Sequence, residues 1–597
     1  MTMPAPPLPP DAKRLVVRRT YRLLRPVRRL LVFACLGAVF QSAGTLAAPA
    51  IIGIGIDQGV RAQDLGALNQ AAVAFLVAIA AVYGFGRITI LLVARIGEGF
   101  LRSLREMVFD HQMRLSLEFY DRSRTGDLVS RMTADVESLQ ELISQGLSMF
   151  MVNMLVFFGA IAVMLAMSWQ LALGVLVVFP VIVLAARWFR RASNIAYLAL
   201  RDRVGGTLSS FQEGIAGVRV VQGFNQEDVF RHKFRETNDR QFRTNLHAEA
   251  ITARFTTTLE LCHGTSIAII LLFGGFLTGE DIVTVGTLAA FVLYQQNLFE
   301  PIQQMSQLFN TLQASGAALT KLYELLDEPV VVDDRSDARD LPSRGRLVVD
   351  HASFRYRDGP LVLDDASLTV EAGERVALVG PTGAGKSTLA KLMVRFYDPV
   401  SGSVTFGGVD LRDTIKRSLR SRIVVVPQEG FLFGGTIRDN LLIAKPDATD
   451  AQVEHAIEVL DLAPHFSAFP NGLDTLVRER GANFSAGERQ LVSLVRSALA
   501  DPEMIVLDEA TSSLDPGTEL LVGHSIERLM TGRTVVVIAH RLSTSARADR
   551  VAVVQGGRIA EVGHHDQLIE AGGPYAALYD SWMGTSGIEA TDAPGAG

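Results

Sequence analysis

Gly380-Pro381-Thr382-Gly383-Ala384-Gly385-Lys386-Ser387-Thr388 follows the run Arg375-Val376-Ala377-Leu378-Val379 and precedes the helical Leu389-Ala390-Lys391-Leu392. A strand, a glycine-rich turn and a helix with the spacing GxxxxGK[ST] make a phosphate-binding loop. The glycines let backbone N–H groups converge on phosphate oxygens at the helix N-terminus. Lys386 supplies a point charge near the β- and γ-phosphates, and Ser387 can ligate Mg²⁺. An α/β P-loop domain is therefore expected around residue 380, holding a nucleotide's phosphates and Mg²⁺.

Downstream, Met504-Ile505-Val506-Leu507-Asp508-Glu509 is an apolar strand ending in two carboxylates, a costly placement without a cation or substrate to face. Asp508 suits the Mg²⁺ shell and Glu509 suits polarisation of an attacking water. Gln428, after the run 423–426 and Pro427, is a neutral group able to touch both metal and water.

The chain upstream is of another kind. Over 597 residues, 48% are hydrophobic against 20% charged, and mean hydropathy is +0.25, which points to membrane insertion and excludes a disordered chain. Uncharged apolar runs cover 30–56, 65–86, 142–186, 264–279 and 282–299. The third, as one helix, would be roughly 68 Å long against a hydrocarbon core of roughly 30 Å, so it must fold as a hairpin, with its turn at Ser168-Trp169-Gln170. Six spans result. The inner connections between them alternate apolar and charged residues at helical spacing, so the spans are expected to continue as helices beyond the membrane.

The division is then 1–11 as a disordered N-terminus, 12–327 as a six-span α-helical transmembrane domain, 328–344 as a polar linker, 345–583 as the α/β domain and 584–597 as a disordered tail. Residues 12–29 read as a basic interfacial helix. Arginines crowd the long connections 95–141 and 187–254, whereas the short ones carry only Asp57, Arg61, Asp64, Glu280 and Asp281. By the positive-inside rule both termini face the cytoplasm, in a multi-pass protein of the cytoplasmic (inner) membrane. The net charge of −6 gives no reason to expect nucleic acid, and two cysteines, Cys35 and Cys262, form neither a disulfide framework nor a metal cluster.

Taken in order, these motifs resemble a half-transporter of the ATP-binding cassette (ABC) exporter superfamily, of the bacterial multidrug and lipid exporter type. Its elements here are Phe354-Arg355-Tyr356, the phosphate loop, Gln428, Arg478-Glu479-Arg480-Gly481, Phe484-Ser485-Ala486-Gly487-Glu488, Asp508-Glu509, Ser513-Leu514-Asp515 and His540. In the membrane half, Glu118-Phe119-Tyr120-Asp121 through Val136 resembles the first cytoplasmic connection and 214–227 the second. The resemblance implies that Tyr356 stacks on adenine and that Gly380, Thr382, Gly383, Ala384, Gly385, Lys386, Ser387 and Thr388 hold the phosphates. It implies Mg²⁺ bound by Ser387, Gln428 and Asp508, and hydrolysis served by Glu509, His540 and Gln428. Ser485, Gly487 and Glu488 would cap the γ-phosphate of ATP held by the opposite subunit, so the working unit is a dimer.

The signature segment departs from the family's Leu-Ser-Gly-Gly-Gln at Ala486, which adds a methyl, and at Glu488, which puts a carboxylate near a tri-anion. Both changes weaken phosphate capping while the hydrolytic set is intact, a combination that favours a heterodimer over a homodimer. Glu260 and His263, and Gln295, Gln296 and Glu300, are polar groups within the fifth and sixth spans, read first as interhelical hydrogen-bonding or snorkelling groups. The expected activity is ATP-driven export of a hydrophobic or amphipathic small molecule, lipid or peptide by alternating access. An ATP-gated channel or regulatory protein, and a siderophore importer, are the alternatives on this fold.

Overall fold

The computed structural model describes residues 18–20, 25–428, 430–508, 516–539 and 542–588. Contacts divide the chain into two compact units, one of residues up to 113 with 125–328, the other of 114–124 with 329 onward.

In the first unit, five stretches are long and apolar enough to cross a membrane: Arg25–Arg61, Leu65–Arg114, Thr125–Met167, Trp169–Ala216 and Glu227–Gly279. The expected sixth span opens the helix Val285–Leu326, whose apolar run is interrupted by Gln295, Gln296, Asn297 and Glu300. The hairpin turns at Ser168, whose hydroxyl caps Trp169–Leu176 by accepting from the Leu171 N–H at 3.4 Å. Leu65–Arg114 and Glu227–Gly279, of 50 and 53 residues, are about 75 and 80 Å long at 1.5 Å per residue, more than twice the hydrocarbon thickness. The inner connections are thus prolongations of the spans.

An apolar core joins Leu171, Leu259 and Ile270 to Ala290, Phe291, Tyr294 and Leu298. Tyr294 Oη donates to the Leu46 carbonyl. Polar groups in the membrane half are paired across helices: fully buried Gln295 donates from Nε2 to Ser266 Oγ at 2.7 Å, and the His263 ring packs on Phe299 at 5.0 Å. Near the other end, Asp57 accepts from the Gly286 N–H at 2.8 Å and from the Thr284 hydroxyl, capping Val285–Leu326 from a neighbouring helix. A Cβ at Gly286 would stand 2.0 Å from the Gly53 carbonyl oxygen, so the close approach requires glycine.

In the second unit a six-stranded sheet runs in the order Arg558–Gly563, Arg550–Gln555, Arg375–Val379, Thr534–Ile538, Met504–Asp508, Ile423–Val426. All neighbours are parallel except the first pair. The central strands are apolar without alternation, as sheets covered on both faces require. A second, antiparallel sheet of Leu361–Val370, Leu347–Arg355, Ser401–Phe406 and Val409–Asp410 accompanies it.

The polar linker 328–344 makes contacts within the second unit from 329 onward: Lys416 donates to the Val332 carbonyl at 2.9 Å and pairs with Asp333 at 3.0 Å, and Leu341 is buried. The last helix, Pro574–Ile588, continues into the tail expected to be disordered from 584, and of the expected basic helix 12–29 the structure describes 18–20 and 25 onward. Residues 1–11 and 589–597 lie outside the described residues.

Candidate nucleotide site

The turn after Arg375–Val379 is shaped by glycines where other residues would not fit. Gly380 has φ +147° and a Cβ there would meet the Val554 carbonyl oxygen at 2.1 Å. Gly385, at φ +107°, is the N-cap of Lys386–Met393, and its Cβ would meet Leu363 and the Val362 carbonyl at 2.9 and 3.0 Å. Gly383 has φ +81° with open space in front of it. Lys386 is buried, and its Nζ donates to the carbonyls of Gly380 at 2.6 Å and Pro381 at 3.0 Å. Burial pushes its ammonium below the usual lysine range, and the Asp508 carboxylate acts in the opposite direction.

Topology gathers the other candidates at the same end of the sheet. Asp508 ends Met504–Asp508, Gln428 follows Ile423–Val426, and the loop follows Arg375–Val379, all at carboxyl ends of parallel strands. Gln428 is exposed. A hydroxyl at Ser387, an amide oxygen at Gln428 and a carboxylate at Asp508 are hard oxygen donors of the kind Mg²⁺ takes, so the residues fit that ion. Glu509, His540 and the segment Ser513-Leu514-Asp515 lie outside the described residues.

Tyr356 is half-buried beside the loop, its hydroxyl 3.1 Å from Thr388 Oγ1. It meets Phe354 and Tyr397 edge to face, with centroids at 4.9 and 5.4 Å. Tyr397 Oη donates to Asp121 Oδ2, and Lys391 Nζ stands 3.3 Å from the same carboxylate. Burial first, and then Asp121, pushes the Tyr397 hydroxyl well above the ordinary phenol range, so it is a donor at any working pH. Sequence reasoning missed Lys391, Tyr397 and their link to Asp121. The available signal was Phe396-Tyr397-Asp398 directly after the loop helix, but nothing in the spacing ties it to residue 121, 276 positions away.

The segment Phe484-Ser485-Ala486-Gly487-Glu488 opens the 15-residue helix Ala486–Ala500. Ser485 is its N-cap: its hydroxyl accepts from the Glu488 N–H at 3.1 Å, while Glu488 Oε2 accepts from the Ser485 N–H at 2.7 Å. This reciprocal capping box satisfies two helix-end donors and sets a carboxylate against the positive end of the helix. Gly487 is buried, and Phe484 is buried against Phe469 at 5.5 Å.

Residues 31–302 match the ABC transporter transmembrane region and residues 363–512 match the ABC transporter family. An uncharacterised ABC transporter ATP-binding protein of Bacillus subtilis, YwjA, is 32% identical over 95% of this chain and 99% of its own length. A multidrug efflux ATP-binding/permease protein of Mycobacterium bovis is 35% identical over 94% of this chain and 47% of its own. A fatty acid ABC transporter ATP-binding/permease protein from the same species is 34% identical, covering 79% of this chain and 75% of that protein. Among solved structures, a bacterial Atm1-family ABC exporter with ATP bound superposes with a TM-score of 0.77 at 27% identity, covering 93% of this chain and 98% of that one.

Proposed function

The chain belongs to the ABC transporter family, and from that premise we propose that it is one half of a heterodimeric exporter of the inner membrane whose own phosphate loop holds the hydrolysed ATP. As a family member it is a multi-pass membrane protein that couples ATP hydrolysis to export and acts as a dimer. The relatives and the solved structure described above do not favour the channel and importer readings.

In this reading Gly380, Thr382, Gly383, Ala384, Gly385, Lys386, Ser387 and Thr388 bind the phosphates, and Tyr356 stacks on the base. Ser387, Asp508 and Gln428 would hold Mg²⁺, which would neutralise phosphate charge there. Glu509 orients the attacking water, with His540 and Gln428 beside it. Both termini lie in the cytoplasm with the cassette.

The observation that carries the assignment is the buried Lys386 ammonium, held by the Gly380 and Pro381 carbonyls in a loop whose Gly380, Gly383 and Gly385 all take positive φ, with no space for a Cβ at Gly380 or Gly385. The unequal sites rest on Glu488: its carboxylate already occupies the end of Ala486–Ala500 where a neighbouring γ-phosphate would be capped. The Mycobacterium bovis multidrug relative is about twice as long as this chain, enough to hold two such halves. As a test, Glu509→Gln in the assembled transporter keeps ATP affinity and lowers hydrolysis by at least about 10²-fold, whereas Lys386→Ala loses binding. Near-normal turnover by Glu509→Gln would remove the catalytic assignment. The cargo is proposed as hydrophobic or amphipathic, in line with the drugs and fatty acids named for relatives.

A further inference from the structure

The side chain of Lys391 is placed where two separate parts of the sequence meet. It projects from the loop helix Lys386–Met393 with its Nζ over the Tyr356 ring at 5.8 Å from the centroid and over the Tyr397 ring at 5.6 Å. The same ammonium pairs with Asp121 at 3.3 Å, and Asp121 also takes the Tyr397 hydroxyl bond. Residues 114–124, which carry Asp121, belong to the cassette unit, with Leu117 packed on its core. Tyr356 closes the chain of contacts by touching Thr388 of the phosphate loop.

A cation on one face of a ring is held by the ring's quadrupole and in turn limits how the ring can rotate. Tyr356 stands perpendicular to the rings of Phe354 and Tyr397, its hydroxyl is 3.1 Å from Thr388 Oγ1, and Lys391 lies over it. Its orientation therefore depends on where Lys391 stands. Lys391 stands where Asp121 holds it.

We propose that Lys391 is a positioning residue which ties the base-stacking ring of Tyr356 to Asp121 in the first cytoplasmic connection, so that seating of that connection and seating of the adenine favour each other. The inference rests on the reading of Tyr356 as the adenine platform. Linkage makes the effect reciprocal: if seated Asp121 tightens ATP binding, bound ATP tightens the seating of 114–124 by the same factor. Through the Tyr356 ring, the base is what the first cytoplasmic connection senses most directly.

The test separates base from phosphate binding in the full-length, assembled transporter. KM for ATP and the inhibition constant of inorganic tripolyphosphate, which has phosphates and no base, are measured for wild type, Lys391→Met, Lys391→Arg, Asp121→Asn and the double variant Lys391→Met with Asp121→Asn. Lys391→Met is expected to raise KM for ATP about two- to fivefold while the tripolyphosphate constant stays unchanged. Lys391→Arg restores most of the loss. Asp121→Asn shifts KM in the same direction, and the double variant is no worse than Lys391→Met alone, because the two residues act in series. An unchanged KM in Lys391→Met, an equal loss toward tripolyphosphate, or additive single effects would each overturn the proposal. Tyr356→Ala is the separating control. If it leaves the ratio of ATP to tripolyphosphate affinity unchanged, the platform reading itself fails; if it lowers the ratio and Lys391→Met does not, only the link to Asp121 fails.

Discussion

Glu488 and Ser485 cap one another: the Ser485 N–H donates to the Glu488 carboxylate at 2.7 Å and the Glu488 N–H donates to Ser485 Oγ at 3.1 Å. A glutamine at 488 would close the same box without the charge. Glu488→Gln combined with Ala486→Gly is therefore expected to lower helix stability by about 1 kcal/mol, through the lost charge at the helix N-terminus and the added glycine, and to strengthen phosphate capping across the dimer. The measurement is nucleotide occupancy at each site of the assembled transporter, where occupancy of the slow site should change more than overall turnover. A proportional rise of both would mean that the departure from the family signature has no site-specific effect.

The Gly53–Gly286 approach gives a prediction about the membrane half. Gly286→Ala puts a methyl 2.0 Å from a carbonyl oxygen and 2.5 Å from Asp57 Oδ2, so the two helices must separate. Overpacking of this kind costs about 1–3 kcal/mol. Thermal unfolding of the detergent-solubilised protein should shift down accordingly, while Gly84→Ala, with nothing within 4 Å of its Cβ, should not. Equal midpoints for both variants would refute the crowding argument.

Coupling is expected to run through the two cytoplasmic connections. Phe224 is 74% exposed at the turn between Val218–Gly223 and Glu227–Gly279, beside Asn225 at φ +52°. Phe224→Ser should reduce transport more than basal ATP hydrolysis, and Tyr120→Ala should behave the same way. Vesicle transport and ATPase activity measured on one preparation decide it, since equal loss of both with folding intact would deny a coupling role.

Acid stability of the cassette follows from Glu374. Burial favours its neutral form, but the Arg550 guanidinium, donating from Nη2 at 2.8 Å, and the Glu371 N–H outweigh burial and hold the carboxyl below the usual range. A carboxyl lowered in the folded state contributes stability that is present above its unfolded pKa, about 4.3, and is lost as pH falls through the folded value. Wild type should therefore lose cassette stability below about pH 4.3. Arg550→Gln should be less stable at pH 7 and should lose less on acidification. Parallel melting curves from pH 7 to 3 would rule out this pair as a source of the dependence.

Much of the architecture was legible because it rests on local signals. The apolar runs located the five long apolar stretches, and the missing charge in 142–186 required a hairpin, whose turn falls at Ser168, the N-cap of Trp169–Leu176. Gly380 to Thr388 could be read because each glycine torsion there is a local requirement. The Asp121, Lys391, Tyr356 and Tyr397 cluster was not legible, since its members are joined only by the tertiary fold. The contacts of the polar linker 328–344 were hidden for a similar reason: Asp333 and Asp334 meet Lys416, more than 80 positions away, only through the tertiary fold.

The most direct test of the unequal-site account is steady-state ATP turnover by this chain expressed and purified alone, as a homogeneous dimer, compared with the complex isolated from its native membrane. The account predicts weak hydrolysis from the isolated chain, because both of its sites would face the charged capping box of Ser485 and Glu488, and full hydrolysis from the native complex with a second half whose carboxylate at the position matching Glu509 is missing or shortened. Robust, substrate-stimulated turnover and transport by the homogeneous dimer would contradict it and leave two ordinary, equal sites.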